Sequence, residues 1–223
     1  MDKEFINFRN VDPLDIGDVL TKIEKSFNIK LDNEGLEKAN TLKGLCDLVI
    51  SKIDLEHEET CTIQHAFYVL RSAIAKVSNI NKCDISTHTK LCKLFPKEDR
   101  LDAIAKLEDE LGFRINLLKP KQWIVSIFGL TFIASGIFCF FNLFAGVAGL
   151  LISAIALKLA GKFGKEMHLK TVGDLACKIS RESYSKVRRN NTINKNEVEQ
   201  KLRELFVNDL DLEPVMLTRR ASF

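Results

Sequence analysis

Cys83, His88 and Cys92 stand within ten residues of one another and carry side chains able to bind a soft divalent metal. Their spacing matches neither a CxxC pair nor the paired histidines of a structural zinc site, so no metal is expected there. The six cysteines, at 46, 61, 83, 92, 139 and 177, are scattered, which fits reduced thiols in a cytoplasmic setting. The four histidines, at 57, 65, 88 and 168, have no partners at catalytic spacing. His65 sits among apolar neighbours and His57 in the acidic EHEE, while His168 follows a basic stretch. The chain contains no GxSxG elbow, phosphate-cradling glycine loop or HExxH pair. Glu108, Asp109 and Glu110 read as a solvated helix surface, and RRAS at Arg219–Ser222 resembles a basic-directed phosphorylation site. The side chains therefore point to a protein that is not an enzyme and holds no cofactor.

The elements themselves are more informative. From Gln122 to Leu157 there are 36 residues without one charge, in a chain whose residues are 28% charged. A membrane-spanning helix needs about 20 apolar residues, so this length predicts two short spans in a hairpin, Trp123–Phe140 and Leu143–Ala160. Arg114, Lys119 and Lys121 precede the first span, and Lys158, Lys162, Lys165 and Lys170 accompany the end of the second. Basic residues are retained on the cytoplasmic side, so both flanks, and with them both termini, are expected there. Lys119, Lys121, Trp123, Lys158, Lys162 and Lys165 are the expected membrane-interface residues. Gly129, Gly136, Gly146 and Gly149, with neighbouring Ala and Ser, would let the two backbones approach closely. The alternative is a buried hairpin in a soluble core, which would need very large surroundings. MDKEFINF has no apolar run, so insertion is expected to depend on these internal spans. The mild net charge of +3, with its basic residues grouped around the spans, suits a lipid bilayer and not nucleic acid.

Outside this region every clear periodicity is helical, and the predicted class is all-α. Amphipathic patterns run over residues 14–28, from Leu42 behind a Thr41 cap, and from Ile63 to Val77. Others run from about Lys97, behind Pro96, to Leu111 with Gly112 as cap, and from Thr171. After a polar linker, RRNNTINKN, a last helix is expected from about Lys195 to Asn208. Two of these patterns recur. Leu20–Leu31 (LTKIEKSFNIKL) shares its design with Ile104–Ile115 (IAKLEDELGFRI), and Thr41–Ile53 shares its with Thr171–Ser180.

The repeated unit resembles acyl carrier proteins. In that family a first helix and long loop lead to an Asp-Ser-Leu-Asp motif opening the second helix, and a Thr cap starts the last one. Here Val11–Leu31 follows the second-helix stretch, Thr41–Ile53 follows the last helix, and EFINFRNV is similar to the end of the long loop. The resemblance implies a serine that carries 4′-phosphopantetheine, but this chain reads Asp12-Pro13-Leu14-Asp15. Proline has no hydroxyl to modify, yet it suits a first helical turn. In a looser second unit, Ile63–Leu111 plus Thr171–Ser183, the serine position falls near Lys97. The membrane hairpin would then be inserted before that unit's last helix.

Val198–Phe223 resembles the missing first helix and loop of the first unit. It could complete that unit within one molecule as a circular permutation, or between two chains in a homodimer, or belong to a domain encoded elsewhere. The expected domains are 1–56 completed by 193–223, 61–118 with 167–186, and the hairpin at 122–161. Within the resemblance the protein is a membrane-anchored docking or scaffold module that carries no prosthetic group. Its acidic second helices, with Asp15, Asp18, Glu24, Glu98, Asp102 and Glu108, would meet acyl-transfer or lipid-synthesis enzymes, and the family suits a bacterial inner membrane. The alternatives are a membrane-remodelling or small pore-type hairpin, and an active carrier whose serine comes from another chain.

Overall fold

The computed structural model describes residues 11–39, 41–162, 164–188, 192–214 and 217, and for Gly161 and Lys162 the backbone alone. EFINFRNV up to Asn10 and the RRAS tetrapeptide lie outside these residues. Helices dominate: α1 (Pro13–Phe27), α2 (Asn33–Lys38), α3 (Leu42–Lys52), α4 (Thr62–Ser78), α5 (Leu91–Leu94) and α6 (Arg100–Leu111). Then follow α7 (Gln122–Phe138), α8 (Leu143–Lys162), α9 (Val172–Glu182), α10 (Tyr184–Val187) and α11 (Lys195–Asp209). Two pairs of two-residue strands join distant segments. β1 (Glu56–His57) lies parallel to β4 (Thr192–Ile193), and β2 (Leu118–Lys119) antiparallel to β3 (Glu166–Met167). Strands this short cannot display the alternation that marks a strand in sequence.

Local chemistry sets the helix limits. The Asp12 carboxylate accepts from Leu14 N–H at 2.9 Å ahead of Pro13, which opens α1. Asn28 closes that helix in the left-handed region, at φ 55. Thr41 accepts from Gly44 N–H at 3.1 Å and starts α3. Gly112, at φ 73, ends α6, where the missing Cβ removes the usual cost of that conformation. One boundary differs from expectation: α6 begins at Arg100, not Lys97, and Lys97–Asp99 form a turn. Asp99 occupies the N-cap position without a side-chain bond into the helix. Arg100 pins the first turn by donating to the carbonyls of Phe95 and Lys165.

The chain divides into two compact units, residues 1–70 with 175–223 and residues 71–174. The divisions fall inside α4 and α9, so residues 167–186, expected as one closing helix, are shared between the units. In the first unit the apolar faces of α1, α3 and α11 form a single core, with Val19, Ile23, Leu42, Leu45, Leu202 and Phe206 all but sealed from solvent. Each such side chain contributes about 1.5–3 kcal/mol when fully buried. The Phe27 and Tyr184 rings stack at 4.9 Å beside them.

In the second unit α7 and α8 lie along each other as a hairpin. Asn142, the one strongly polar side chain near the turn, accepts from Ala145 N–H at 3.2 Å and caps α8. A Cβ on Gly146 would lie 2.6 Å from Cys139 Cα, so glycine is what permits the tight turn. The Ser153 hydroxyl, buried between the helices, is 2.8 Å from the Gly149 carbonyl and 3.4 Å from Thr131 Oγ1. Leu143–Ala160 has a mean hydropathy of 2.1 and is long and apolar enough to cross a membrane. Gln122–Phe138 is apolar but shorter, ending before Phe140 because the chain turns at Phe138–Phe141. Most large side chains of both helices face outward, Leu130, Ile133, Phe144 and Ile152 among them.

Candidate functional site

The Asp12-Pro13-Leu14-Asp15 stretch forms the exposed start of α1. Asp12 caps the helix, Pro13 takes its first position, and Asp15 and Asp18 follow on the surface. Beside them Leu14 is 78% exposed, an apolar side chain inside an acidic rim. Lys97, expected from the resemblance at the corresponding position of the second unit, is exposed in the turn before α6 and lies 3.8 Å from Glu166. Glu98 is also exposed there, its carbonyl 3.3 Å from Lys165 Nζ. Asp102 faces solvent on α6 and pairs with Lys106 at 2.7 Å; that carboxylate holds the Lys106 ammonium above its ordinary range.

Glu24 and Glu108 have a different place. Each is half-buried, and each reaches past its helix end to accept from a backbone N–H seven residues on. Glu24 Oε1 takes Leu31 N–H at 2.7 Å, and Glu108 Oε1 takes Ile115 N–H at 2.7 Å. These carboxylates therefore fasten loops, and the exposed acidic surface comprises Asp15, Asp18, Glu98 and Asp102. The sequence repeat Leu20–Leu31/Ile104–Ile115 is thus also a repeat of structure, with Asn28 and Gly112 as matching left-handed caps. The second repeat holds as well. Leu42, Leu45, Cys46 and Val49 correspond to Val172, Leu175, Ala176 and Ile179, and all eight are buried. Thr171 and Asp174 cap each other reciprocally at 3.0 and 3.1 Å. The Thr171 hydroxyl first, and then its N–H, hold the Asp174 carboxyl below the usual carboxylate range.

The residues expected at a membrane interface cluster at the base of the hairpin. Lys119 is paired through the backbone with Glu166, Lys121 precedes α7, and Trp123 on its first turn is exposed. Lys158 and Lys165 are exposed too, while Lys162 lies on α8 with its side chain outside the described atoms. Lys121 and Lys165 border a cleft of about 500 Å³ whose walls are Ile124, Phe128, Ala156 and Leu159.

Sequence reasoning missed the main buried polar group. Arg188 opens the RRNN stretch expected to be a linker, yet its side chain is 2% exposed. It donates to the Thr60 carbonyl at 2.8 Å, the Glu58 carbonyl at 2.9 Å and the Thr62 hydroxyl at 3.0 Å, and lies 3.9 Å from Glu197. Tyr184 packs under the guanidinium, with 5.8 Å to the ring centre, and burial pushes its phenol upward. Nothing local in RRNN signals this, because every partner lies far away in sequence or on a side chain that a linker would not engage. Arg188, Tyr184, Lys52 and Asp54 also line a cavity of about 400 Å³ in the first unit.

Among the described residues no group of three or more His, Cys, Asp or Glu comes together at metal-binding distance. Cys83 and Cys92 are free and exposed, and His168 Nδ1 lies 3.1 Å from the Leu117 carbonyl. Comparisons with known protein families, with curated proteins and with solved structures find no match.

Proposed function

We propose that the protein is a membrane-anchored docking module built on carrier-like helical units that hold no prosthetic group. The observation that carries this reading is Pro13. The turn to which the family resemblance assigns a nucleophilic serine is built, capped and exposed, and it bears a ring with no hydroxyl. The shared core of α11, α1 and α3 supports a unit whose first helix comes from the C-terminal part of the same chain. Leu14 then offers an apolar anchor in a polar rim, the usual anatomy of a recognition patch. Asp15 and Asp18 favour a basic partner surface, as an acyl-transfer or lipid-synthesis enzyme could present.

The membrane part of the proposal is a two-pass hairpin with both flanks cytoplasmic, in a bacterial inner membrane. At about 1.5 Å per residue α7 reaches about 26 Å and α8 about 30 Å, against a hydrocarbon core of about 30 Å. The uncharged turn and the lysines at the base support that orientation. The shortness of α7 favours one second reading, a hairpin wedged into the cytoplasmic leaflet that bends the membrane. Change of liposome shape on reconstitution would mark it.

The test of the docking reading is the intact mass of the full-length protein purified in detergent from its native host. A mass equal to the bare chain is expected. A gain of one phosphopantetheine would overturn it in favour of an active carrier.

A further inference from the structure

Between the turn that enters α6 and the segment that leaves α8, the second unit contains a cleft of about 350 Å³. Its lining includes Lys90, Lys97, Arg100 and Lys170, four cations, against one carboxylate, Glu166. Arg100 is 4% exposed, and its described bonds go to neutral acceptors, the carbonyls of Phe95 at 3.0 Å and Lys165 at 2.6 Å. Those bonds orient the guanidinium without cancelling its charge. Lys90 and Lys170 are held side by side by the Lys90–Thr171 bridge and by Leu91 N–H on the Lys170 carbonyl at 2.9 Å. Glu166 is the one carboxylate in the lining and meets Lys97 only at 3.8 Å; Glu98 and Asp99, beside Lys97 and Arg100 in the chain, are exposed and are not part of the lining. Arg100 is buried while Lys90, Lys97 and Lys170 are exposed at the rim, and like charges gathered around one cleft favour an anion that joins them. A phosphate group suits the site, because its several acceptor oxygens match a fixed guanidinium and mobile ammonium groups.

The cleft's position narrows the source of that phosphate. Lys165 borders the apolar cleft at the hairpin base, Glu166 borders the cationic one, and Arg100 holds the Lys165 carbonyl where they follow one another. Charge next to an apolar trough at the foot of a membrane hairpin is the complement of an amphiphile. We propose that Lys90, Lys97, Arg100 and Lys170 bind the phosphate of an anionic phospholipid whose chain enters the trough beside Lys121 and Phe128. The identity of the ligand as a lipid rests on the membrane reading above; the anion site itself does not.

Trp123, the only tryptophan, stands two residues from Lys121 and reports on the trough. Full-length protein is reconstituted in phosphatidylcholine vesicles doped with brominated phosphatidic acid or brominated phosphatidylcholine, and Trp123 quenching is followed. The expected result is quenching by phosphatidic acid at the lower mole fraction. That preference should fall about fivefold for each of Lys97→Gln and Lys170→Gln, and stay unchanged in Lys30→Gln and Lys43→Gln. Equal quenching by the two lipids, or equal loss in the control variants, overturns the site. Displacement by glycerol 3-phosphate at comparable concentration overturns the lipid assignment. Failure of the membrane reading would show separately, as protein recovered in water without detergent. Glycerol 3-phosphate titrated calorimetrically into that protein then decides the anion site, and absence of heat would sink it.

Discussion

At the scale of single residues, the costliest position to disturb is Arg188. Its guanidinium donates at once to the Thr60 and Glu58 carbonyls and the Thr62 hydroxyl, so replacing it removes all three bonds from a side chain that is 2% exposed, while Glu197 keeps its bonds to Thr62. Arg188→Leu should destabilise the protein by about 3 kcal/mol, read as a lowered denaturant midpoint of the detergent-solubilised chain; an unchanged midpoint would remove the network's structural role. Asp174 gives a pH prediction. Its carboxyl is held below the ordinary range, so the folded state favours the charged form. The resulting stabilisation is complete above the ordinary carboxylate range and disappears as pH falls through the lowered folded value. Wild type should therefore melt above Asp174→Asn near neutral pH, and the two should converge in strong acid. A gap that persists in acid would assign the effect to something other than the charge.

At the scale of elements, the repeated feature is a helix whose end is tied to its own loop. The Glu24–Leu31 and Glu108–Ile115 bonds have the same spacing and length in the two units. Removing either carboxylate leaves a partly buried N–H unpaired, and Glu24→Ala and Glu108→Ala should each cost about 1–2 kcal/mol. Similar losses in chemical denaturation would show that the two ties are equivalent devices, and a loss confined to one would break the equivalence. This repeat was visible in sequence as matching apolar and charged positions. What the glutamates do was not, because a surface acid and a loop-fastening acid carry the same letter. The start of α6 was misplaced for a related reason. Pro96 signals a helix entrance, but the contact that fixes the first turn, Arg100 on the Lys165 carbonyl, spans 65 residues.

For the molecule as a whole, the question is which solvent surrounds α7 and α8. Their outward faces are almost entirely apolar, and the charge needed to meet water begins only at their shared base. Leu150→Asp with Leu151→Asp should prevent insertion, since each aspartate costs about 3 kcal/mol at the centre of a span. Fractionation of that variant with membranes, resistant to carbonate extraction, would contradict a spanning hairpin.

The sequence by itself determined the helical class, the caps at Thr41 and Gly112, the extent of the apolar hairpin and the absence of a hydroxyl at Pro13. These follow from side-chain type and short-range spacing, which act within a few residues. Only the tertiary structure decided among the alternatives left open for the C-terminal helix, bringing α11 into one core with α1 and α3 of the same chain, and only it shows that Arg188 is buried. It alone gathered Lys90, Lys97, Arg100 and Lys170 around one cleft. Those outcomes depend on surfaces and charges brought together across up to about 180 residues of chain, and no local pattern encodes which distant partner a buried face or a cation will meet.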